Sequence, residues 1–195
     1  MFKDINDDET FYNINYHNDR FPLVDYYLSF RDCTFTKIDF SSIDLEKVDF
    51  LNCQFINCDL RNTNLSNNGL KKISFINCNL LGIDFSSSML IDTIFDNCNL
   101  DYSNFTFTKF DNVKFRDSSL KSSSFNEVKF KKIEFDNCNL NSSEFINTSL
   151  NKIDLKTCSI KSLKISLDNL RGAIVNIEGA IDLSLLLGIK IEESG

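Results

Sequence analysis

Four hexapeptides recur along the middle of the chain at intervals of 20 or 40 residues: FINCDL (55–60), FINCNL (75–80), FDNCNL (95–100) and FDNCNL (135–140). A weaker copy, FRDSSL (115–120), fills the one interval of 40. Self-similarity at a fixed period is typical of a chain built from stacked, equivalent units. The spacing therefore predicts one structural turn for every 20 residues.

A shorter period of five residues lies within each turn. Every residue whose number is a multiple of five, from Phe30 to Ile165, is Phe, Leu or Ile. Two positions earlier stands, in all but three of the repeats, a small or β-branched residue, and most other positions are polar, with much Asn, Asp and Ser. This period matches neither the roughly 3.6 residues of a helix nor the roughly two of a strand. It predicts a chain that buries two residues in five and turns a corner after each group.

Four corners close one turn, so we predict an all-β solenoid, a quadrilateral β-helix of about seven 20-residue coils over residues 28–167. Its coils would stack at the spacing of paired strands, about 4.8 Å. Stacking places side chains 20 residues apart above one another, in columns. One predicted column is aromatic and consists of Phe35, Phe55, Phe75, Phe95, Phe115 and Phe135.

All seven cysteines fall at the small inward position, and five share one column that Ser118 interrupts: Cys58, Cys78, Cys98, Cys138 and Cys158. There is no C-x-x-C pair, and the single histidine lies outside the repeats, so the sequence predicts no metal site and no cofactor. We expect buried thiols that pack as small hydrophobic groups. Disulfides within the column are the alternative, because stacked Cα atoms about 4.8 Å apart can be bridged. An odd cysteine count and parallel Cβ directions favour thiols.

Both ends of the chain break the period and are predicted to cap the stack, whose edges would otherwise be open to aggregation. Residues 1–27 are expected to form an irregular or helical N-terminal cap. The segment 166–172 predicts one helical turn that begins after Ser166 and ends at Gly172. Residues 168–195 are expected to form the C-terminal cap and tail, with a helix over 177–187 that begins after Asn176 and ends at Gly188. The surplus of apolar residues on this helix predicts a homodimer, with a cap that packs only on its own coil as the alternative. The residues expected in the dimer contact are Ile181, Leu183, Leu186 and Leu187.

The five-residue pattern resembles the pentapeptide-repeat family, in which a small or apolar residue, Asn or Asp, and Leu or Phe precede two variable residues. TCSI (157–160), NCNL (77–80) and SIDL (42–45) match it as they stand. The resemblance covers roughly residues 28–167 and implies that the quadrilateral β-helix is right-handed. The segment LRGAIVNIEGAIDLSLLLGIKIE (170–192) is similar to the C-terminus of quinolone-resistance pentapeptide proteins, which implies dimerisation there.

The resemblance also implies a function, because one branch of the family imitates duplex DNA and binds DNA gyrase or topoisomerase IV. Some members of that branch protect these enzymes from fluoroquinolones. Here the net charge is −7, but residues 30–165 contain 17 acidic and 17 basic residues, so the acidity lies in the two ends. Imitating one phosphate per ~1.7 Å of axis requires a surface of one sign. If the chain binds a topoisomerase, the acids expected at the contact are Asp39, Asp44, Asp49 and Asp59.

The unbroken register bears on drug protection, because several quinolone-resistance relatives carry loops that project from the coil. No such loop can be placed between residues 30 and 165. The acidic balance argues against direct binding of nucleic acid. The N-terminus is acidic and polar, and no apolar run reaches the roughly 20 residues of a membrane helix, so we predict a cytoplasmic protein.

Three functional hypotheses follow from the sequence. A solenoid filled by Phe and Leu leaves no interior cavity for chemistry, so the preferred hypothesis is a non-catalytic protein-interaction scaffold. The alternative is the topoisomerase-binding DNA mimic described above. An enzyme or redox sensor that uses the cysteine column is the third hypothesis, and it is disfavoured because apolar burial makes a thiol inert.

Overall fold

A computed structural model describes residues 7–23 and 25–192 of the 195-residue chain. The fold is a parallel β-solenoid in which every turn passes through four faces. Face 1 is centred on the inward residues Phe30, Phe50 and their successors at intervals of 20, and faces 2, 3 and 4 follow five residues apart. The strands are β1 (Glu9–Tyr12), β2 (Asn15–His17), β3 (Leu28–Arg31), β4 (Thr34–Thr36), β5 (Val48–Leu51), β6 (Gln54–Ile56), β7 (Gly69–Lys71), β8 (Ser74–Ile76), β9 (Met89–Asp96), β10 (Lys109–Arg116) and β11 (Lys129–Asp136).

All strand pairs are parallel and join neighbouring coils. On face 1 the order is β1-β3-β5-β7-β9, on face 2 it is β2-β4-β6-β8-β9, and β10 and β11 continue both faces. Faces 3 and 4 are held by single bridges, such as Asp39 with Asp59 and Asp44 with Asn64. The predicted all-β solenoid is thereby confirmed. Six turns rather than seven carry a strand on face 1 between residues 28 and 167, because the segment after β11 forms none.

The N-terminal segment differs from its predicted conformation. Its described residues include β1 and β2, which pair with β3 and β4 and form one more coil, not an irregular or helical structure. The pairing is offset by 19 residues, so Phe11, Tyr16 and Phe21 keep the spacing of five in a shifted frame. The ring centroids of Tyr16 and Phe35 lie 5.2 Å apart, which continues the aromatic column upward. This segment covers the first repeat coil with an extra turn of the same architecture.

The core consists of stacked columns of inward side chains. From Phe35 to Phe135 the rings of the aromatic column are nearly parallel, with centroid distances between 4.7 and 5.2 Å. Offset-stacked aromatic pairs at such distances contribute beyond their burial alone. Each coil therefore buries its inward face mainly against the coils above and below it.

The corners explain the abundance of asparagine. The residue two positions after most central residues has a positive φ, as at Asn57, Asn77 and Asn97. Asn and Asp tolerate this left-handed conformation better than other residues with a Cβ atom. The amides also stack, since Asn97 Nδ2 donates to Asn77 Oδ1 over 2.7 Å. The rows of asparagine are therefore structural.

Two short helices close the C-terminal end, as the sequence predicts. The first, α1 (Leu167–Leu170), begins after Ser166, whose side chain accepts the Asn169 N–H. The second, α2 (Ile177–Ser184), begins after Asn176, whose side chain accepts the Gly179 N–H. A 3₁₀ turn (Leu185–Leu187) follows and ends at Gly188 with φ 72°. Within the described residues, neither helix has the length and apolar composition needed to cross a membrane.

Candidate interaction surfaces

The four acids expected at a topoisomerase contact do not form one cluster. Asp39 and Asp59 are bridge partners on face 3, while Asp44 lies on face 4 and Asp49 on face 1. Only two of the four are therefore direct neighbours. Residues 19 to 21 positions apart in the chain stack on the same face, whereas residues five positions apart lie on adjacent faces.

The two neighbouring acids are already paired with arginines. Asp39 accepts from Arg20 at 3.1 Å, and Asp59 accepts from Arg61 at 2.6 Å. Partial burial opposes ionisation of Asp39, but hydrogen bonds from Ser41 and the charges of Arg20 and Arg61 hold the pKa of its carboxyl below the ordinary value. This part of face 3 is therefore locally neutral and does not imitate a row of phosphates.

Face 4 carries an excess of acids that a count of charges in consecutive segments of the chain does not show. Between residues 43 and 167 it holds five acids and two lysines, although the rod as a whole is neutral. Lys47 is paired with Asp25 at 2.7 Å and Lys164 with Glu144 at 2.6 Å. Counting charges along columns of 20 residues, rather than along the chain, reveals this face from sequence alone. The acids of face 4 are Asp44, Glu46, Asp84, Glu127 and Glu144.

Two exposed aromatic residues flank the middle of face 4. Tyr102 lies at the corner between faces 3 and 4 and is 68% exposed, and Phe107 lies at the corner between faces 4 and 1 and is 60% exposed. Both have a φ of 61°, which is unfavourable for a bulky side chain. Strained residues cluster at functional sites, and exposed aromatic residues are enriched among the main contributors to binding energy.

Face 1 has the opposite charge. Between residues 28 and 152 it carries eight basic and four acidic residues, and most of the lysines lie in its C-terminal half. An open groove of ≈ 290 Å³ crosses this half over Met89, Phe110 and Phe130. The neutral rod is thus divided lengthwise into an acidic and a basic face.

The C-terminal helix exposes a different set of residues from the one expected. Leu183 packs against the core, whereas Ile181, Leu186 and Leu187 are exposed. Ile177 and Leu185, which are not among the residues expected in the dimer contact, are exposed by 81% and 61%. The cause is Gly179, whose backbone lies so close to Ile160 that a Cβ atom would be 3.0 Å from Cδ1. This close approach turns the side of Gly179 and Leu183 toward the coil.

The cysteine column lies inside the solenoid. All seven cysteines are buried free thiols. Six of their Sγ atoms contact a carbonyl oxygen of the preceding coil, as Cys78 Sγ does with Phe55 O at 3.3 Å, and Cys138 Sγ contacts Asp136 O of its own coil. Thr63 Oγ1 donates to Phe40 O at 2.8 Å in the same way, so Cys, Ser and Thr are structurally equivalent here. Burial raises the pKa of the Cys53 thiol to about 12.

The cavities of the described chain are open grooves on its outside, because the interior is filled by the columns. No group of three or more His, Cys, Asp or Glu residues in this part of the chain is arranged to hold a metal ion. The surfaces offer polar, charged and aromatic contacts to another molecule.

Comparisons with known proteins agree with this architecture. A family model described as "Pentapeptide repeat region" matches residues 48–125 and 68–145, which together span half of the chain. The structure is similar to that of HetL, a pentapeptide repeat protein involved in heterocyst differentiation regulation from the cyanobacterium Nostoc sp. strain PCC 7120, with a TM-score of 0.58, 15% identity and 87% of each chain covered.

It also matches a trypsin-treated form of QnrB1, a plasmid-mediated fluoroquinolone resistance protein, with a TM-score of 0.40 and 18% identity, over 95% of this chain and 100% of that one. No curated protein sequence matches the chain. At these identities the similarity to HetL shows the fold alone.

Proposed function

Since the chain belongs to the pentapeptide-repeat family, we propose that it is a non-catalytic scaffold that binds another protein through face 4 of its rod. The observation that carries this proposal is the pair Tyr102 and Phe107, exposed in unfavourable backbone conformations on either side of the acidic face. Aromatic anchors beside an acidic face suit a partner with a basic surface.

The rigidity of the rod supports this role. Each coil is fixed by its neighbours, so the side chains of face 4 stand at the constant spacing of the stack. Neighbouring carboxylates are held by hydrogen bonds, since Asp44 accepts from Asn64 at 3.0 Å and Glu46 accepts from Asn67 at 2.7 Å. A preorganised surface loses little conformational entropy on binding, which favours affinity.

A pair of variants tests the proposal. The wild-type protein is used to capture partners, and each purified partner is then titrated by calorimetry against wild type and Tyr102→Ala/Phe107→Ala. We expect the double variant to lose about tenfold or more in affinity, the effect of removing one main contributor to binding. Tyr12→Ala, which removes an exposed aromatic residue on face 1 at the end of β1, is the matched control and should bind as wild type. Equal affinity of all three proteins, or chemical turnover of the partner, would contradict the proposal.

A type II topoisomerase is the specific partner to test first, since such an enzyme binds DNA with a basic surface that face 4 could occupy. The charges favouring this candidate are the face 4 acids Asp44, Asp84 and Glu127, none of which forms an ion pair in the described chain. The arginine-paired acids Asp39 and Asp59 give it no support.

The assay is DNA supercoiling by purified gyrase, with titrated protein, in the presence and absence of ciprofloxacin. Inhibition at low micromolar protein, or relief of the drug's effect, would support this candidate. Asp44→Asn/Asp84→Asn should then weaken the effect more than Asp39→Asn/Asp59→Asn. No effect at tens of micromolar protein would exclude gyrase and leave the scaffold proposal to other partners.

The C-terminal helix supports a homodimer as the assembled form of the scaffold. Ile177, Ile181, Leu185 and Leu187 expose a contiguous apolar stretch at the end of the rod. Burying it against a second copy would remove it from water and cover two open ends at once. Sedimentation equilibrium should give a dimer for wild type and a monomer for Ile181→Glu/Leu187→Glu. A monomeric wild-type protein would refute this part of the proposal.

A further inference from the structure

One junction between neighbouring coils lacks its backbone ladder on two adjacent faces. β11 pairs with β10 along its whole length, but among the described residues no bridge or backbone hydrogen bond joins 129–136 to 149–156. The same two coils remain joined on face 3, where Leu140 N–H donates to Ser159 O over 2.8 Å. We call this opening the seam, and the two segments its lips.

The seam leaves backbone groups without their usual partners. In a closed junction, the N–H of a central residue donates to the next coil, as Leu100 N–H does to Ser119 O over 2.7 Å. The corresponding N–H groups of Phe130 and Phe135 have no backbone acceptor across the seam anywhere in the described structure. Unpaired strand edges of this kind are templates for pairing with another chain.

Only side chains cross the seam at its two ends. Val128 N–H donates to Thr148 Oγ1 and Asn137 N–H donates to Thr157 Oγ1, each over 2.9 Å. The first bond has equivalents elsewhere, such as Asn68 N–H to Ser88 Oγ at 3.1 Å. Thr148 therefore lies at the N-terminal end of the seam and Thr157 at its C-terminal end.

An irregular backbone explains the opening. The register between β10 and β11 shifts at Asp111, which pairs with Lys132 instead of Lys131. Such a bulge bends the strand that carries it, and bulges are over-represented at sheet edges and beside active sites. Lys132 and Thr157 are also two of the three corner residues between 32 and 162 without a positive φ. The distortion is thus confined to the two lips.

The seam is a continuous groove around one corner of the rod. It holds a cavity of ≈ 440 Å³ on face 2 and one of ≈ 390 Å³ on face 1, and Ile133 and Lys152 line both. Phe130 and Ile133 are only partly buried here, whereas Phe110 in the closed coil above is fully buried. The groove therefore offers apolar contacts beside unpaired backbone groups.

The charge of the groove favours an acidic ligand at its face 1 end. Lys132 and Lys152 have no ion-pair partner in the described chain, and Lys131 is held by Asp111 at 2.7 Å. Toward face 2, Glu134 is neutralised by Lys114 at 2.9 Å, and Asp136 accepts from the Thr157 hydroxyl at 3.3 Å. The uncompensated charge beside the unpaired backbone on face 1 is positive.

We propose that the seam binds an extended acidic peptide segment of a partner protein, which adds as a strand to the free edge of β11. Backbone hydrogen bonds would give affinity, while Ile133 and the two free lysines would select alternating apolar and acidic side chains. This inference rests on the proposed scaffold function and names a second contact of that scaffold, separate from face 4. Its occupant would complete the interrupted ladder.

The first test uses fluorescence anisotropy with a fluorescein-labelled octapeptide of alternating Glu and Val. Two further probes are the same peptide with Lys in place of Glu, and the Glu peptide with N-methyl groups on alternate amides. Only the unmodified acidic peptide should bind, because strand addition needs both free amides and complementary charge. Equal binding of the N-methylated peptide would overturn the proposal, as would no binding of the acidic one.

Charge-reversal variants locate the binding site. Lys132→Glu/Lys152→Glu should weaken binding of the acidic probe by about tenfold or more, since like charges then face each other. Lys121→Glu/Lys161→Glu on the closed face 3 changes net charge equally and should leave binding within about twofold of wild type. Equal weakening in both variants would mean a general charge effect and would refute the seam as the site.

Hydrogen exchange provides a readout that does not depend on affinity. The amides of Phe130 and Phe135 should exchange rapidly in the free protein and become protected when the acidic probe is bound. Protection already present in the free protein would overturn the proposal. If that protection disappears in a chain ending at Leu187, the occupant is the protein's own tail. If the acidic probe does not protect these amides but a partner still binds through Tyr102 and Phe107, the seam is refuted as a binding site while the scaffold function stands.

Discussion

The junction between β9 and β10 and the junction after β11 place the same kinds of residue at the same positions, yet only the first is closed. At the first, Phe95 and Phe115 stack at 4.7 Å and the strands pair throughout. At the second, the central residues Phe135 and Leu155 keep the pattern, but β11 pairs with no segment of the next coil. The comparison shows that a repeat pattern specifies which residues face inward, whereas ladder closure also depends on the backbone of each corner.

The largest expected difference is in thiol reactivity, measured on single-cysteine variants with the other six cysteines replaced by serine. Serine already occupies the cysteine column at Ser118, so these replacements suit the site. The pKa of Cys53 is raised by burial from 9.0 to about 12, so its native thiolate fraction near pH 8 is about a thousandfold lower than in the unfolded chain. We expect DTNB to label native Cys53 at least that much more slowly than urea-unfolded protein.

The raised pKa of Cys53 also determines how the free energy of unfolding changes with pH. A raised thiol pKa favours the folded state only while the unfolded thiol is also protonated, so this stability is present below pH 9 and is lost between pH 9 and 12. Cys158, beside the seam, should label faster than Cys53 because local opening there breaks fewer hydrogen bonds. If both cysteines are labelled at the same rate, local opening at the seam is no easier than in the closed coils, and the prediction is wrong.

Truncation of the aromatic column should have the largest effect on equilibrium stability. Phe95 is fully buried and stacks on Phe75 and Phe115 at 5.0 and 4.7 Å. We expect Phe95→Ala to lower the free energy of unfolding by about 3–5 kcal/mol, because it leaves a cavity in a closed stack. Urea denaturation measures it, with the exposed Phe107→Ala as control, expected within about 0.5 kcal/mol of wild type. A loss below about 1 kcal/mol for Phe95→Ala would mean that the column is not tightly packed.

Two isoleucines of a single column compare the closed and open junctions directly. Ile73 is fully buried among paired strands, and Ile133 occupies the equivalent position, partly exposed, on the seam. We expect Ile73→Ala to cost about 2–4 kcal/mol and Ile133→Ala about 1 kcal/mol, because less surface leaves the core at Ile133. Both are measured by the same urea titration. Equal losses would indicate that the seam is closed in solution.

The smallest expected effect is at the end of the seam. Thr157→Val keeps the shape of the side chain but removes both the acceptor of the Asn137 N–H and the hydroxyl that donates to Asp136 at 3.3 Å. We expect a loss of about 1 kcal/mol for these two exposed hydrogen bonds, measured by denaturation. Thr106→Val on closed face 4, whose hydroxyl contacts Ser124 Oγ at 3.0 Å, is the control for general effects of the substitution. A larger loss at Thr157 would mean that its hydrogen bonds contribute more to the closure of this junction than exposed bonds ordinarily do.

Sequence reasoning recovered the solenoid because its period is set by sterics that act identically in every coil. It also identified both helix starts, since Ser166 and Asn176 accept amide hydrogen bonds of the first turn as their residue types predict. It missed the first coil, where Phe11, Tyr16 and Phe21 keep the spacing of five in a frame shifted by one residue. A search that allowed one deletion near Pro22 would have found it.

The candidate surfaces were less predictable, because they depend on which residues stack. The four acids selected along the chain lie on three faces, whereas the acidic face 4 is visible only when residues 20 apart are grouped. The sequence predicts Leu183 in the dimer contact, but the close approach of Gly179 to the Ile160 side chain turns Leu183 toward the coil. Apolar periodicity reflects side-chain chemistry and does not show how closely a helix backbone approaches the coil beneath it.

The sequence by itself determined the coil length, the inward columns and the positions of the corners, because each follows from side-chain size and backbone preference within five residues. Only the tertiary structure decided the pairing of Asp39 and Asp59 with arginines, the orientation of α2 and the opening after β11. These features depend on contacts between coils, and a register shift of one residue at Lys132 accompanies the interrupted ladder. Side-chain and backbone preferences repeat in every group of five residues, but whether two neighbouring coils pair depends on the contacts between them.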